Sequence, residues 1–188
     1  MIRGGHPRLL EDPREGGVLL VRRGKTVLTS GVFDILHPGH LFLLRYASRL
    51  KGRGGRLVVV IARDETVRRR KGRPPVFPER YRLEVVRSLR YVDEAVLGYR
   101  PFSFRRIMEQ FKPDTVVFGY DQDRLRREFE EMAEAEGWRV RIVKAPKMPR
   151  SRLNSTSEVV EKILRLFSRR VSRLKAPRSS GLRRSSQS

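Results

Sequence analysis

A chain of 188 residues with 38% hydrophobic side chains, 34% charged side chains and a formal net charge of +22 is long enough for one domain with a buried core. It has no run of about 18 apolar residues and no apolar secretion-signal core near residue 1, so a cytoplasmic protein without membrane spans is expected. The lack of cysteine excludes disulfides and thiolate zinc sites.

Residues 1–24 read as an appendage broken by Gly4, Gly5, Pro7, Pro13, Gly16 and Gly17, with Val18-Leu19-Leu20-Val21 offering an extra edge strand. From residue 25 strands and helices alternate. Residues 25–29 read as a strand, and 40–51 as a helix with Leu41, Leu44 and Ala47 on one face. The stretch 56–62, apolar without a break after Arg56, reads as a strand buried on both faces. Pro78 opens a helix over 79–89. A short strand at 95–97, a helix at 104–111 and a strand at 114–118 follow. A helix at 124–136 ends at Gly137, a strand spans 139–143, and a last helix spans 157–169. The Ser- and Arg-rich stretch 171–188, with Pro177 and Gly181, reads as a disordered tail beyond a domain of residues 25–170. The alternation predicts an α/β, Rossmann-like fold: a doubly wound parallel sheet of five strands with helices on both faces. Such sheets bind ligands beyond the carboxyl ends of their strands.

The stretch with most chemistry is Ser30-Gly31-Val32-Phe33-Asp34-Ile35-Leu36-His37-Pro38-Gly39-His40. Gly31 follows a strand and lets backbone approach a ligand. Pro38-Gly39 sets a tight turn, and His40 opens a helix whose free N–H groups favour an anion. Imidazoles at this point donate to phosphate oxygens, or they are two turn histidines, one capping and one half-buried. No third metal ligand lies nearby, and neither a GxxxxGK[ST] loop nor a GxGxxG fingerprint occurs.

Four other stretches admit a functional and a plain reading. Arg68-Arg69-Arg70-Lys71-Gly72-Arg73 follows the second strand, as a solvated basic loop or one that closes over an anion. Arg82, inside the 79–89 helix, reads unaided as a surface arginine. Gly119-Tyr120-Asp121-Gln122-Asp123 ends the fourth strand; Gly119 permits close approach, and Asp121 either caps the next helix or accepts from sugar hydroxyls. Ser155-Thr156-Ser157-Glu158 fits a capping box whose remaining hydroxyls and N–H groups suit phosphates, with Arg150 adding charge just before it.

GVFDILHPGH resembles the first signature of the cytidylyltransferase-like nucleotidyltransferases, whose HxGH motif holds a nucleotide triphosphate. The blocks RDETV, RYVDE, KPDTVVFGYDQD and NSTSEVVEKI extend the resemblance over roughly residues 25–168 and make it similar to the archaeal-type FAD synthases in particular. Val32 departs from the pattern, where threonine is common, and a backbone role tolerates it. The resemblance implies transfer of AMP from ATP to the phosphate of FMN, with His37 and His40 as catalytic donors. It implies that Gly31, Val32, Phe33, Asp34, Pro38, Gly39, Gly119, Asp121, Ser155 and Thr156 bind the nucleotide, and that Arg70, Lys71, Arg82 and Arg150 reach phosphates. Magnesium, or another divalent cation, would be held mainly through the phosphates and water, with Asp34 placing the ion or orienting a histidine. A flavin ring needs an apolar slot; Tyr99, Phe102, Phe104 and Tyr120 either supply it or belong to the core. A homodimer is also implied by relatives in the superfamily.

The basic excess has three readings: nucleic-acid binding, a site for polyanionic small molecules, and the Arg/Glu-laced surface of a heat-adapted protein. Arginines without interleaved aromatic platforms disfavour nucleic acid as the main partner. The rival functions are a CTP-dependent glycerol-phosphate cytidylyltransferase, pantetheine-phosphate adenylylation, and a non-catalytic RNA binder.

Overall fold

The computed structural model describes the backbone of residues 8–11, 18–21, 24–149 and 155–175, and the side chains of 24–149 and 155–168. Arg150 and the stretch 176–188 lie outside the described residues. Among the described residues, strands β1 (Arg8–Glu11) and β2 (Val18–Val21) pair with each other alone, antiparallel. The apolar run at 18–21 is therefore a strand, but not an edge of the main sheet.

The main sheet comprises β3 (Thr26–Gly31), β4 (Arg56–Ile61), β5 (Glu94–Leu97), β6 (Thr115–Phe118) and β7 (Arg141–Lys144), all parallel, in the order β5-β4-β3-β6-β7. Side-chain alternation along β4 explains why its sequence is apolar from Leu57 to Ile61, after an exposed Arg56. Leu57, Val59 and Ile61 pack with Leu44, Ala47 and Val86 of α1 (Pro38–Leu50) and α3 (Glu79–Arg87). Val58 and Val60 point the other way, into a layer with Ile107, Phe111, Phe129 and Ala133 of α4 (Phe104–Phe111) and α5 (Asp123–Ala135). The chain leaves central β3 for β4 and β5 on one side, then crosses to β6 and β7 on the other. That reversal opens a crevice beyond the carboxyl ends of β3 and β6.

Two stretches differ from their sequence reading. Residues 64–71, whose basic end reads as loop, form helix α2 (Asp64–Lys71). Its first turn carries Asp64 and Glu65 and its last turn Arg68 to Lys71, the arrangement that complements a helix dipole. Arg69 pairs with Glu65 one turn away at 2.5 Å, and Gly72 closes the helix at φ 68°, donating its N–H to the Arg68 carbonyl. The last helix, α6 (Thr156–Lys175), runs past residue 170, because no breaker precedes Pro177.

Candidate active site

Helix α1 begins at Pro38, with His37 at the N-cap and His40 in the first turn rather than at its opening. No side chain caps this end and no acidic residue occupies its first turn, so its N-terminal field stays available to an anion. The two imidazoles stack at 3.7 Å between ring centroids and 26° between planes. Both Nδ1 atoms are buried without a hydrogen-bond partner among the described residues. Phe33 leans on His40 at 5.1 Å. Its ring folds back over Gly31, where a Cβ would stand 2.8 Å from the ring edge, so a side chain at 31 would push Phe33 off His40.

Burial holds the pKa of His40 down to about 3, with His37 and Lys71 adding repulsion. Burial also lowers His37, against the opposing pull of Asp121 and Glu158. Both rings are uncharged near neutral pH, so each offers an N–H donor and not a positive charge. A stability consequence follows. Below pH 6.5 the unfolded chain protonates His40, while the folded chain does so only near pH 3. The unfolded state then binds more protons, and stability falls as pH drops through that window, by up to about 1.4 kcal/mol per pH unit for this residue. Urea unfolding of the wild type and His40→Gln at pH 7 and pH 5.5 measures it; the variant should show the shallower pH dependence.

The histidines line a cavity of about 380 Å³ at the switch point. Positive charge enters it from Arg63, Arg70, Lys71 and Arg73. Arg63 is engaged, donating to the Gly98 carbonyl at 2.6 Å and pairing with Glu79 at 2.9 Å. Arg70 pairs with Glu128 at 2.8 Å and lies over the Phe102 ring at 5.2 Å. Among the described residues Lys71 and Arg73 form no ion pair, which leaves them the freest cations at the cavity. Sequence reading includes Arg73 in the basic run but singles out Arg70 and Lys71 from it.

At the end of β6, Gly119 and Asp121 line the cavity, and Asp121 is exposed with no capping role; Gln122 holds the α5 N-cap position instead. Gln122 is named within its stretch by the sequence reading, but its role is not. Its Oε1 accepts from Gly119 N at 2.6 Å and its Nε2 donates to the Ser30 carbonyl at 3.0 Å, tying the ends of β6 and β3 together. On α6, Ser155 Oγ accepts from Glu158 N at 3.2 Å, and the Thr156 hydroxyl donates to the Asp34 carbonyl at 2.8 Å. Ser155, Thr156 and Ser157 all line the cavity, so a second helix N-terminus meets the first there. Tyr99, Phe102 and Tyr120 also line it, whereas Phe104 is core, packed edge-on against Phe129 at 5.1 Å.

Two residues do not stand where the resemblance implies. Arg82 is wholly buried and lies outside the cavity lining. Its guanidinium donates to the carbonyls of Phe77 at 2.9 Å, Ala62 at 2.8 Å and Val32, and pairs with Asp64 at 2.7 Å. Asp34 is 4% exposed and lies outside the cavity lining. Its carboxylate accepts from Val76 N at 2.7 Å and Phe77 N at 2.9 Å, so it neither orients a histidine nor faces a cation. Val32 and Phe33 contact the cavity, and Pro38 sits outside its lining while fixing the start of α1.

A parallel doubly wound sheet with a two-histidine turn at its switch point, beside two helix N-termini, defines a nucleotide-handling transferase of the Rossmann type. The cytidylyltransferase-like family model matches residues 28–162, and the chain belongs to that family of nucleotidyltransferases. Relatives named FAD synthase include one from Methanopyrus kandleri, 46% identical over 146 residues, 78% of this chain and 96% of the relative. Others are from Pyrococcus abyssi, 38% identical over 75% of this chain and 93% of the relative, and Methanothermobacter marburgensis, 44% identical over 76% and 87%. A lipopolysaccharide core biosynthesis protein from Thermoplasma volcanium has a similar structure, with TM-score 0.60 and 37% identity over 66% of this chain and 98% of that one. A pantothenate synthetase from Thermus thermophilus shares the fold alone, at TM-score 0.51 and 17% identity over 73% of this chain and 61% of that one.

Proposed function

We propose that the chain transfers AMP from ATP to the phosphate of FMN, giving FAD and pyrophosphate. The observation that carries this reading is the convergence of two uncharged, stacked imidazoles and the N-termini of α1 and α6 on one cavity that also holds Lys71 and Arg73. The relatives named FAD synthase supply the identity of nucleotide and acceptor.

An oxygen of the acceptor phosphate attacks the α-phosphorus; the bond from that phosphorus to the bridging oxygen breaks, and pyrophosphate leaves with the electron pair. The acceptor is already anionic near pH 7, so no general base is required. This matches imidazoles that burial keeps neutral and suited to donating N–H bonds. His37 and His40 donate to the oxygens on which charge grows, the helix N-termini and Lys71 offset the leaving pyrophosphate, and Asp121 accepts from ribose hydroxyls. Among the described residues no three histidine or carboxylate side chains converge, and Asp121 is the one carboxylate lining the cavity. That set fits a divalent cation that would be carried mainly by nucleotide phosphates and water, and such an ion would supply further charge neutralisation when bound. Among the described residues no helix is long and apolar enough to cross a membrane.

The test is a matrix of ATP and CTP against FMN, glycerol 3-phosphate and phosphopantetheine, read by pyrophosphate release and by chromatography of the flavin. ATP with FMN should give FAD. Turnover of CTP with glycerol 3-phosphate, and none with FMN, overturns the proposal.

A further inference from the structure

The backbone between β3 and His37 is held in an unfavourable form. Phe33 has φ 51° and Ile35 φ 46°, both in the left-handed region that glycine accepts and that these bulky residues disfavour. Such a pair persists only where the surroundings hold it. Here the surroundings are four tethers from elements far away in sequence. Arg82, on α3, takes the Val32 carbonyl. The Asp34 carboxylate takes two backbone N–H groups, of Val76 and Phe77. The Asp34 carbonyl takes the Thr156 hydroxyl at the start of α6. Arg82 also takes the Phe77 carbonyl, so the two anchors share one partner segment and form a closed bracket around residues 32–35.

The bracket acts on the site through Phe33. The left-handed turn at 33 sends that ring, 2% exposed, against His40, which stacks in turn on His37. We infer that Asp34 and Arg82 are positioning residues for adenylyl transfer: neither touches substrate, and together they hold the 32–35 turn in the form that sets both imidazoles and the α6 N-terminus around one phosphate position. The inference rests on the reaction proposed above, and it extends that proposal from the groups that contact phosphate to those that aim them. The left-handed pair alone would relax toward extended backbone, moving Phe33 and releasing the histidine stack.

The test uses Asp34→Asn and Arg82→Lys in the full chain. The amide presents one acceptor to two N–H donors, and the ammonium cannot span four partners, yet both changes are conservative in volume. Steady-state kinetics should show kcat lowered by about 10²-fold with KM for ATP changed less than about threefold, since the lesion is in alignment and not in binding. The chain has only three histidines, so the ring signals of His37 and His40 are resolvable by heteronuclear NMR. Those signals should shift in each variant at a temperature where it is folded by circular dichroism. A loss of turnover that merely follows the unfolded fraction, with wild-type histidine signals, overturns the inference. So does turnover within about twofold of wild type. If the wild type makes no FAD, the reaction proposal fails separately; the histidine signals then decide the bracket alone, shifted spectra supporting it and unchanged spectra overturning it.

Discussion

Replacing His40 with alanine should lower kcat for adenylyl transfer by about 10²–10³ while the far-ultraviolet circular dichroism spectrum stays that of the wild type. The expectation comes from where the ring sits. It is in the first turn of α1, stacked on His37, braced by Phe33, and it lines the cavity where α1 and α6 begin. Because burial holds its pKa near 3, it brings a directed N–H into a poorly solvated place rather than a charge that solvent would screen. A neutral donor of this kind counts where charge grows in the transition state and little where the ground-state nucleotide is bound. The loss should therefore fall on kcat, with KM for ATP little changed. His40→Asn, which keeps a donor on a shorter arm, should recover part of the rate. Fold integrity should survive because the core under α1 is carried by Leu44 and Ala47, both fully buried. Retained turnover in His40→Ala would remove the imidazole from the reaction, and a rise in KM at constant kcat would make it a ground-state ligand only.

The parts of this molecule legible in its sequence are those written contiguously. The run at 57–61 is apolar at every position of a strand with a helix layer on each side, and that unbroken run announces it. The turn from Gly31 to His40 carries its glycine, proline and imidazoles within one short stretch. Helix α2 was obscured by its own composition. A block of four basic residues resembles a solvated loop until the acidic pair at 64–65 and the glycine at 72 are read as the two ends of one helix. Arg82 and Asp34 were legible as residues and illegible as roles. Three of the four partners of Arg82 lie 50, 20 and 18 residues away, those of the Asp34 carboxylate 42 and 43 residues away, and Thr156 reaches Asp34 across 122 residues. A helical arginine with a surface-like period gives no sign that its head group is walled in by three carbonyls, because helix periodicity reports which face points inward and not what waits there.

That burial makes Arg82→Ala the most destabilising single change expected here. Its side chain is wholly excluded from solvent, and its partners are the carbonyls of Val32, Ala62 and Phe77 and the carboxylate of Asp64. Truncation leaves the carbonyls without a donor, takes from the Asp64 carboxylate its ion-pair partner and opens a large cavity next to Val86, itself fully buried. Breaking a buried ion pair by removing one partner costs about 3–5 kcal/mol. For a chain of this size that corresponds to a fall in Tm of roughly 10 °C. Arg82→Met separates the contributions, since it keeps most of the volume and removes every donor. It should retain the larger part of the loss, because unmet hydrogen bonds, not empty space, dominate it. A phosphate-binding arginine would behave in the opposite way: stability within about 1 kcal/mol of wild type, and KM for ATP raised. Urea unfolding of the two variants, set beside their KM values, discriminates the two behaviours. An Arg82→Met protein as stable as the wild type, with weakened ATP binding, would return the residue to the phosphates.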